Sequence, residues 1–101
     1  MDYSKRGFIV AGQVTIWPMQ KSLHSRHYKV FLGALRDARI RLGVTQEELA
    51  ARLDATQSFV SKCERGERRL DVVELQLWCK ALGMRMPDFV KQLDRRLDRS
   101  R

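Results

Sequence analysis

The chain has 101 residues, which is enough for one small domain and an extension. Hydrophobic residues make up 44% of it, a fraction that excludes wholesale disorder. Twenty Lys and Arg against twelve Asp and Glu give a formal net charge of +8, which favours a polyanionic partner: DNA, RNA or an anionic membrane surface. No apolar run approaches the ~20 residues that a membrane-spanning helix needs.

Cys63 and Cys79 stand at apolar helical positions, and no Cys or His lies at the spacing of metal ligands. We interpret both thiols as small buried side chains of a reducing compartment, in preference to a disulfide or a zinc site. His24 and His27 lie in a polar segment that does not indicate a metal role. We therefore expect no metal and no cofactor, and we predict a cytoplasmic, nucleoid-associated protein.

Residues 1–25 form an extension and linker that differ in character from the rest of the chain. Residues 8–17, FIVAGQVTIW, are rich in β-branched and aromatic side chains, which favours a β-strand. Gly12 and Gln13 would alternatively form the turn of a minimal hairpin. A lone strand or hairpin is marginal in water, so this segment would have to pair, for example with the same segment of a second copy.

Three other interpretations compete for the extension. A signal peptide is disfavoured because Thr and Gln interrupt the apolar run and no small-residue cleavage site follows. A basic arm is a second option, in which Lys5 and Arg6 would reach phosphates or a minor groove. The third option is sequence upstream of the natural protein, because Met19 would serve as a start. Polar residues 18–27 are interpreted as a linker that can include the start of the next helix.

The pattern of apolar and capping residues over residues 26–98 predicts an all-α domain of five helices. The first spans residues 26–42, where four apolar side chains at i, i+4, i+7 and i+11 form one stripe. These are Phe31, Leu35, Ala38 and Leu42. Gly43 ends this helix, and a stretch with helix-capping residues follows.

Residues 44–69 predict two short helices joined by a tight turn. Thr45 is a good N-cap residue, and Glu48 completes a capping box. Thr56 caps the second helix, and Gly66 is a natural residue to end it in the left-handed conformation, with positive φ. The inward apolar positions of the pair are Leu49, Ala50, Leu53, Val60 and Cys63. The outward face of the second helix is polar, which is typical of a helix-turn-helix that contacts nucleic acid.

Two further helices complete the predicted domain. Asp71 caps the first of them, which runs to about Leu82. Its inner stripe is expected to contain Val72, Leu75, Trp78, Cys79 and Leu82. Val73 and Leu77 fall outside that stripe and are expected to be exposed. Pro87 suits the first turn of the last helix, whose apolar residues are Phe89, Val90, Leu93 and Leu97.

The segment RIRLGVTQEELAARLDATQSFVSKCERG, residues 39–66, resembles the Cro and phage-repressor type of helix-turn-helix, also called the XRE family. The resemblance extends over about residues 28–90, with LQLWCKALGM as its third specific part. It implies a five-helix, lambda-repressor-like domain that binds DNA through its second and third helices. It also implies a symmetric dimer on a palindromic operator, with the recognition helix, residues 56–65, in the major groove.

The resemblance implies base-reading roles for five residues of the recognition helix. Gln57, Ser58 and Lys62 match positions that reach base edges, and Gln pairs with adenine while Lys donates to guanine. Ser61 would reach a base or a phosphate. Phe59 departs from the small polar residues that are common at its position. It would contact a thymine methyl or a sugar, or it would pack on the second helix.

Phosphate contacts are implied for a second group of residues. Gln46 matches a phosphate-binding glutamine at the start of the second helix, and Thr56 matches the cap of the recognition helix. Arg65, Arg68 and Arg69 lie where the following loop approaches the DNA backbone. For each arginine, the competing interpretation is a solvated charge.

The resemblance also bears on the scaffold and on assembly. Arg39 and Glu64 match an internal ion pair that joins the first helix to the end of the recognition helix. Asp54 occupies a turn position where the family usually has Gly, and Asp tolerates the positive φ that this position requires. The candidates for a dimer interface, which would leave apolar area outside the core, are Val73, Leu77, Phe89 and Leu93.

The leading functional prediction is a sequence-specific transcriptional regulator, a repressor or autoregulator that acts as a homodimer on double-stranded DNA. Phage repressors, restriction–modification controllers and antitoxins all fit this description. The alternative is an antitoxin-like interaction module that binds a toxin as well as DNA. An enzyme is not expected, because Ser58, Ser61 and Cys63 lie on one short helix with no nearby His.

Overall fold

A computed structural model describes the backbone of residues 21–100 and the side chains of residues 26–100. This part of the chain contains five α-helices and no strand: α1 Lys21–Arg41, α2 Gln46–Arg52, α3 Gln57–Glu64, α4 Val72–Leu82 and α5 Met86–Arg99. The predicted all-α fold of five helices is therefore confirmed. The proposed strand at residues 8–17 lies outside the described residues, and α1 begins at Lys21, inside the segment interpreted as a linker.

The signals at the helix-turn-helix are confirmed in atomic detail. The hydroxyl of Thr45 accepts a hydrogen bond from the backbone N–H of Glu48 (3.0 Å), whose carboxylate accepts one from the N–H of Thr45 (2.8 Å). The hydroxyl of Thr56 likewise accepts from the N–H of Phe59 (3.1 Å). Asp54, in the turn between α2 and α3, has a φ of 56°, so the expected left-handed conformation is present.

Gly66 is required at the end of α3 for two reasons. Its φ is 82°, in the left-handed region that disfavours side chains. A Cβ at this position would also lie 2.8 Å from the Cδ1 atom of Leu32 in α1. The loop after α3 therefore passes directly over α1.

The helices surround one hydrophobic core. Its fully buried members come from every element: Leu35, Leu49, Val60, Cys63, Trp78, Cys79 and Phe89. Helix α2 packs against α3, and α1 packs against α5. Helix α4 packs against both α2 and α5, and α1 also contacts α3. Cys63 and Cys79 are free thiols, as expected, and burial raises the pKa of Cys79 to about 11.

Two predicted core residues are exposed. Leu42 is 45% exposed because α1 ends at Arg41, so the helical period that would turn Leu42 inward is lost. Val44 is buried at this corner instead, with 6% exposure. Val72 is 64% exposed because it is the first residue of α4 and lies on the rim of an open groove.

Two polar contacts join α5 to α1 at the protein surface. Arg96 Nη2 lies 3.0 Å from Asp37 Oδ2, and Arg41 Nη2 donates to Gln92 Oε1 over 3.2 Å. These contacts are exposed or partly exposed, so they add less to stability than the apolar packing beneath them. Within residues 21–100, no helix has the length and apolar character that crossing a membrane requires.

Candidate nucleic-acid interface

Helix α3 has a buried apolar face and an exposed polar face. The packing of the apolar face in the core determines which side chains point outward. Val60 and Cys63 of the inner face are 0% exposed. Burial raises the pKa of the Cys63 thiol, which keeps it neutral. Gln57, Ser58 and Lys62 are exposed on the opposite side. Three of the predicted base-reading residues therefore share one accessible surface whose orientation is fixed by packing.

Phe59 and Ser61 lie between these two faces and are half-buried. The Phe59 ring packs against the indole of Trp78 in α4, with 6.4 Å between ring centroids, and the guanidinium carbon of Arg68 lies 5.1 Å from its centroid. This packing on α4 was not among the interpretations made from the sequence, which placed the ring on DNA or on α2. The hydroxyl of Ser61 accepts a hydrogen bond from Arg65 Nη1.

A hydrogen-bonded network links α1 to the first residue of α3. Arg39 donates from Nε to Glu64 Oε2 (2.6 Å), from Nη2 to Glu64 Oε1 (3.1 Å) and from Nη1 to the carbonyl of Val44 (2.9 Å). Gln46 Nε2 donates to Glu64 Oε1 (2.9 Å). Gln57 Nε2 in turn donates to Gln46 Oε1 over 3.4 Å. The side chains of Arg39 and Glu64 are 10% and 4% exposed, so this pair lies largely out of water.

Arg65, at the end of α3, forms a two-pronged ion pair with Glu67. Its Nε donates to Glu67 Oε2 over 2.8 Å and its Nη2 donates to Glu67 Oε1 over 3.2 Å. The hydrogen bond with Arg65 lowers the pKa of the Glu67 carboxyl, and the same contact raises the pKa of Arg65. Both groups are charged at neutral pH, and both are about half exposed.

The two arginines of the next loop also have partners on their own chain. Arg68 Nη1 donates to Glu74 Oε1 (2.7 Å) and to the carbonyl of Arg69 (2.8 Å). The hydrogen bond from Arg68 lowers the pKa of Glu74. The guanidinium of Arg69 lies over the ring of Tyr28, 4.2 Å from its centroid. The Tyr28 hydroxyl accepts a hydrogen bond from the N–H of Leu70 over 3.3 Å.

Three residues of this surface were not predicted as site residues: Glu67, Glu74 and Tyr28. The spacing Asp71-x-x-Glu74 is a capping-box signal, and the structure contains that box at the start of α4. Glu67 and Tyr28 have no comparable local signal. Their roles come from contacts that the loop makes after Gly66 turns the chain.

The predicted dimer-interface residues fall into different environments. Val73 and Leu77 are 65% and 51% exposed, in agreement with their position outside the α4 stripe. Leu93 is half-buried and packs against the core. Phe89 corrects the prediction: it is 1% exposed, because its ring packs edge-on against Phe31 of α1 with 6.1 Å between centroids. Phe89 is a core residue and offers no outer surface.

No cluster of His, Cys, Asp or Glu suited to a metal ion occurs among the residues whose side chains are described. The arrangement consists instead of exposed amide, hydroxyl and ammonium groups on α3, with arginines on the loop behind it. Together with the five-helix fold, it defines a helix-turn-helix DNA-binding protein.

Comparison with known families agrees with this class. The family model HTH_3, described as Helix-turn-helix, matches residues 35–89, more than half of the chain. The chain belongs to this family, the XRE-type helix-turn-helix proteins. It is a DNA-binding protein of the transcription-regulator class. No curated protein sequence matches it.

Solved structures similar to this chain belong to the same class. An XRE-family like protein from Pseudomonas syringae pv. tomato str. DC3000 is 44% identical, with a TM-score of 0.68, and the match covers 73% of this chain and 90% of that one. The wild-type restriction-modification controller protein C.Esp1396I is 28% identical, with a TM-score of 0.64 and coverages of 70% and 92%. A nucleoprotein complex of C.Esp1396I is also 28% identical, with a TM-score of 0.62 and coverages of 70% and 91%.

Proposed function

We propose that this protein is a sequence-specific regulator that binds a palindromic operator as a homodimer, with α3 in the major groove. The observation that carries the proposal is the exposed group of Gln57, Ser58 and Lys62 on a helix whose other face is completely buried. A fixed helix with polar side chains at its N-terminal end meets the requirement for reading base edges.

Base reading is assigned to the polar face of α3. Gln57 suits a bidentate contact with adenine, and Lys62 suits a contact with guanine O6 and N7. Ser58, Ser61 and Phe59 are the other proposed base-reading residues. Phe59 can contact a base only through the part of its ring that Trp78 does not cover. Each good bidentate pair discriminates against a wrong base by roughly 1–3 kcal/mol.

Phosphate binding is assigned to residues that flank α3. Gln46 and Thr56 stand at the N-terminal ends of α2 and α3, where helix dipoles favour anions. Arg65, Arg68 and Arg69 lie on the other side, in the segment that follows α3. Contacts of this kind position a protein on DNA without reading its sequence.

Selection of bound sequences from a random duplex library tests the assignment. The wild-type protein should enrich a motif with two-fold symmetry. Gln57→Ala and Lys62→Ala should lose preference at particular positions of that motif, because each removes one reader. Arg69→Ala should instead weaken binding to all sequences and reduce the salt slope by about one unit. An equal, sequence-independent loss for all three variants would contradict the division into readers and phosphate contacts.

We propose that the dimer forms through the exposed apolar side chains of α4, with a contribution from the edge of Leu93. Val73 and Leu77 are the basis, since both leave apolar area in water on α4. Leu77→Glu should shift the sedimentation of the protein toward the monomer. Ile40→Glu is a matched control, because Ile40 is a comparably exposed aliphatic residue (54%) on α1. An unchanged dimer in Leu77→Glu would place the interface elsewhere.

We propose that the protein acts as a repressor or autoregulator. The resemblance to a restriction-modification controller protein supports a controller over an antitoxin. The antitoxin-like alternative would dock a toxin through residues 8–17, which lie outside the described residues. A reporter driven by the promoter next to the enriched site should be less active when the protein is present. Increased reporter activity would identify an activator.

A further inference from the structure

Arg65 is already engaged by its own chain before any DNA arrives. Glu67 accepts hydrogen bonds from both Nε and Nη2, and Ser61 accepts one from Nη1. Three of the hydrogen-bond donors of this guanidinium are therefore directed at protein oxygens. Planar, two-pronged pairing of this kind is also the geometry with which arginine binds a phosphate.

The position of Glu67 is set by the turn that ends α3. Gly66 adopts a left-handed conformation, and the N–H of Glu67 donates to the carbonyl of Lys62 over 2.9 Å. The backbone of Glu67 is thereby tied to the last turn of α3. This turn brings the Glu67 side chain within hydrogen-bond reach of Arg65.

We propose that Glu67 limits the DNA affinity of this protein by competing with phosphate for the guanidinium of Arg65. The inference rests on the proposed phosphate contact of Arg65. Binding DNA then requires an exchange of partners, in which Arg65 releases a carboxylate and accepts a phosphate. Glu67 determines affinity without touching the nucleic acid.

The exchange has a consequence for salt dependence. A free arginine that contacts phosphate releases a counterion from DNA, which steepens the fall of affinity with salt. When Arg65 changes partners, Glu67 is left as an unpaired anion that recruits a cation, so the net release is smaller. Removing the Glu67 charge should therefore raise affinity at low salt and steepen the salt slope by up to about one unit.

The test compares Glu67→Gln with Glu47→Gln on a fluorescein-labelled duplex of random sequence, followed by anisotropy over a range of salt concentrations. Glu47 is a matched control: it is exposed beside Gln46, and its side chain makes no hydrogen bond or ion pair with any residue that the structure describes. Both variants remove one negative charge near the proposed interface, so both relieve general repulsion. Only Glu67→Gln also releases Arg65.

We expect Glu67→Gln to raise affinity about two- to fivefold more than Glu47→Gln, the range that loss of an exposed ion pair implies. In an Arg65→Gln background this excess should disappear.

Equal effects of Glu67→Gln and Glu47→Gln, or weaker binding by Glu67→Gln, would overturn the inference if Arg65→Gln still weakens binding. If Arg65→Gln binds like the wild type, the proposed phosphate contact is wrong and the inference fails with it. Absence of wild-type binding even at low salt would overturn the proposed phosphate contacts, because binding to random sequence depends on them.

Discussion

At the scale of single residues, Glu64 connects three parts of the molecule. Its carboxylate accepts from Arg39 of α1 and from Gln46 of α2, while its own position ends α3. With only 4% of its side chain exposed, this carboxylate depends on those donors for compensation of its charge. The orientation of α3 is thus tied to a partly buried ion pair.

Arg39→Ala should destabilise the protein by about 3 kcal/mol, because it leaves the Glu64 carboxylate poorly compensated in a site shielded from water. Urea unfolding followed by circular dichroism would measure the loss. Arg36→Ala is the control, since Arg36 is an exposed arginine on the same helix and should change stability by less than about 0.5 kcal/mol. Equal stabilities of the two variants would show that the pair contributes nothing.

Phe59 is a second residue whose role depends on its neighbours. Phe59→Ala should cost about 2 kcal/mol, less than the ~3–5 kcal/mol typical of a fully buried Phe, because the ring is half-buried against Trp78. Thermal or urea unfolding would measure this, with the exposed neighbour Ser58→Ala as the reference. If the ring serves packing alone, the selected DNA motif should be unchanged. If Phe59→Ala instead lost the preference for thymine at one position of the motif and kept its stability, the ring would be a thymine reader.

At the scale of elements, two helices begin with reciprocal capping boxes. In α2 the box joins Thr45 and Glu48, and in α4 it joins Asp71 and Glu74. Each satisfies backbone N–H groups that would otherwise lack partners at a helix start. Helix α2 has seven residues and α4 has eleven, so the capping box contributes a larger share of the end-group hydrogen bonding in α2 than in α4.

The capping box of α2 predicts an acid-sensitive contribution to stability. Hydrogen bonds with Thr45 hold the pKa of Glu48 below its ordinary value of 4.5. A carboxyl whose pKa is lower in the folded state stabilises the fold above its unfolded pKa, and this stabilisation is lost as pH falls through the folded value. The urea midpoint of Glu48→Gln should therefore fall less than that of the wild type from about pH 7 to about pH 3.

Glu47→Gln provides the comparison, because Glu47 adjoins Glu48 but takes no part in the cap. Its pH profile should follow the wild type more closely than that of Glu48→Gln does. Parallel profiles for the wild type and Glu48→Gln would mean that the box is not coupled to folding.

At the scale of the whole molecule, one buried cluster joins all five helices of the described part. Its buried hydrophobic residues run from Ala34 to Phe89, and every helix of the described part contributes contacts to it. Outside this core, Val73 and Leu77 of α4 are among the exposed apolar residues, and the proposed dimer would use them.

Deleting residues 1–18 should leave the helical domain folded, because the buried cluster of the described residues joins all five helices between Ala34 and Phe89. Circular dichroism should retain its helical signal, and the thermal midpoint should move by no more than a few degrees. DNA binding of the truncated protein would then report whether Lys5 and Arg6 add phosphate contacts. An unfolded product would mean that the extension belongs to the domain.

The local signals in this sequence were sufficient for the elements. Thr45, Thr56 and Asp71 cap the helices as predicted, and Gly66 and Asp54 have the predicted positive φ. Each of these features is decided by backbone hydrogen bonds or sterics within about four residues, so the neighbouring sequence contains the necessary information. The polar face of α3 was predictable for the same reason, since helical spacing alone separates it from Val60 and Cys63.

Contacts between distant residues were decided only by the tertiary structure. Leu42 is exposed because α1 stops one residue earlier, and Phe89 is buried because Phe31 lies against it. The pairing of Arg65 with Glu67 depends on the course of the loop after Gly66. Periodicity determined which side chains share a face of a helix. How far each face is covered, and which charges meet on the surface, depends on how the helices pack, because burial and pairing are properties of neighbours in space.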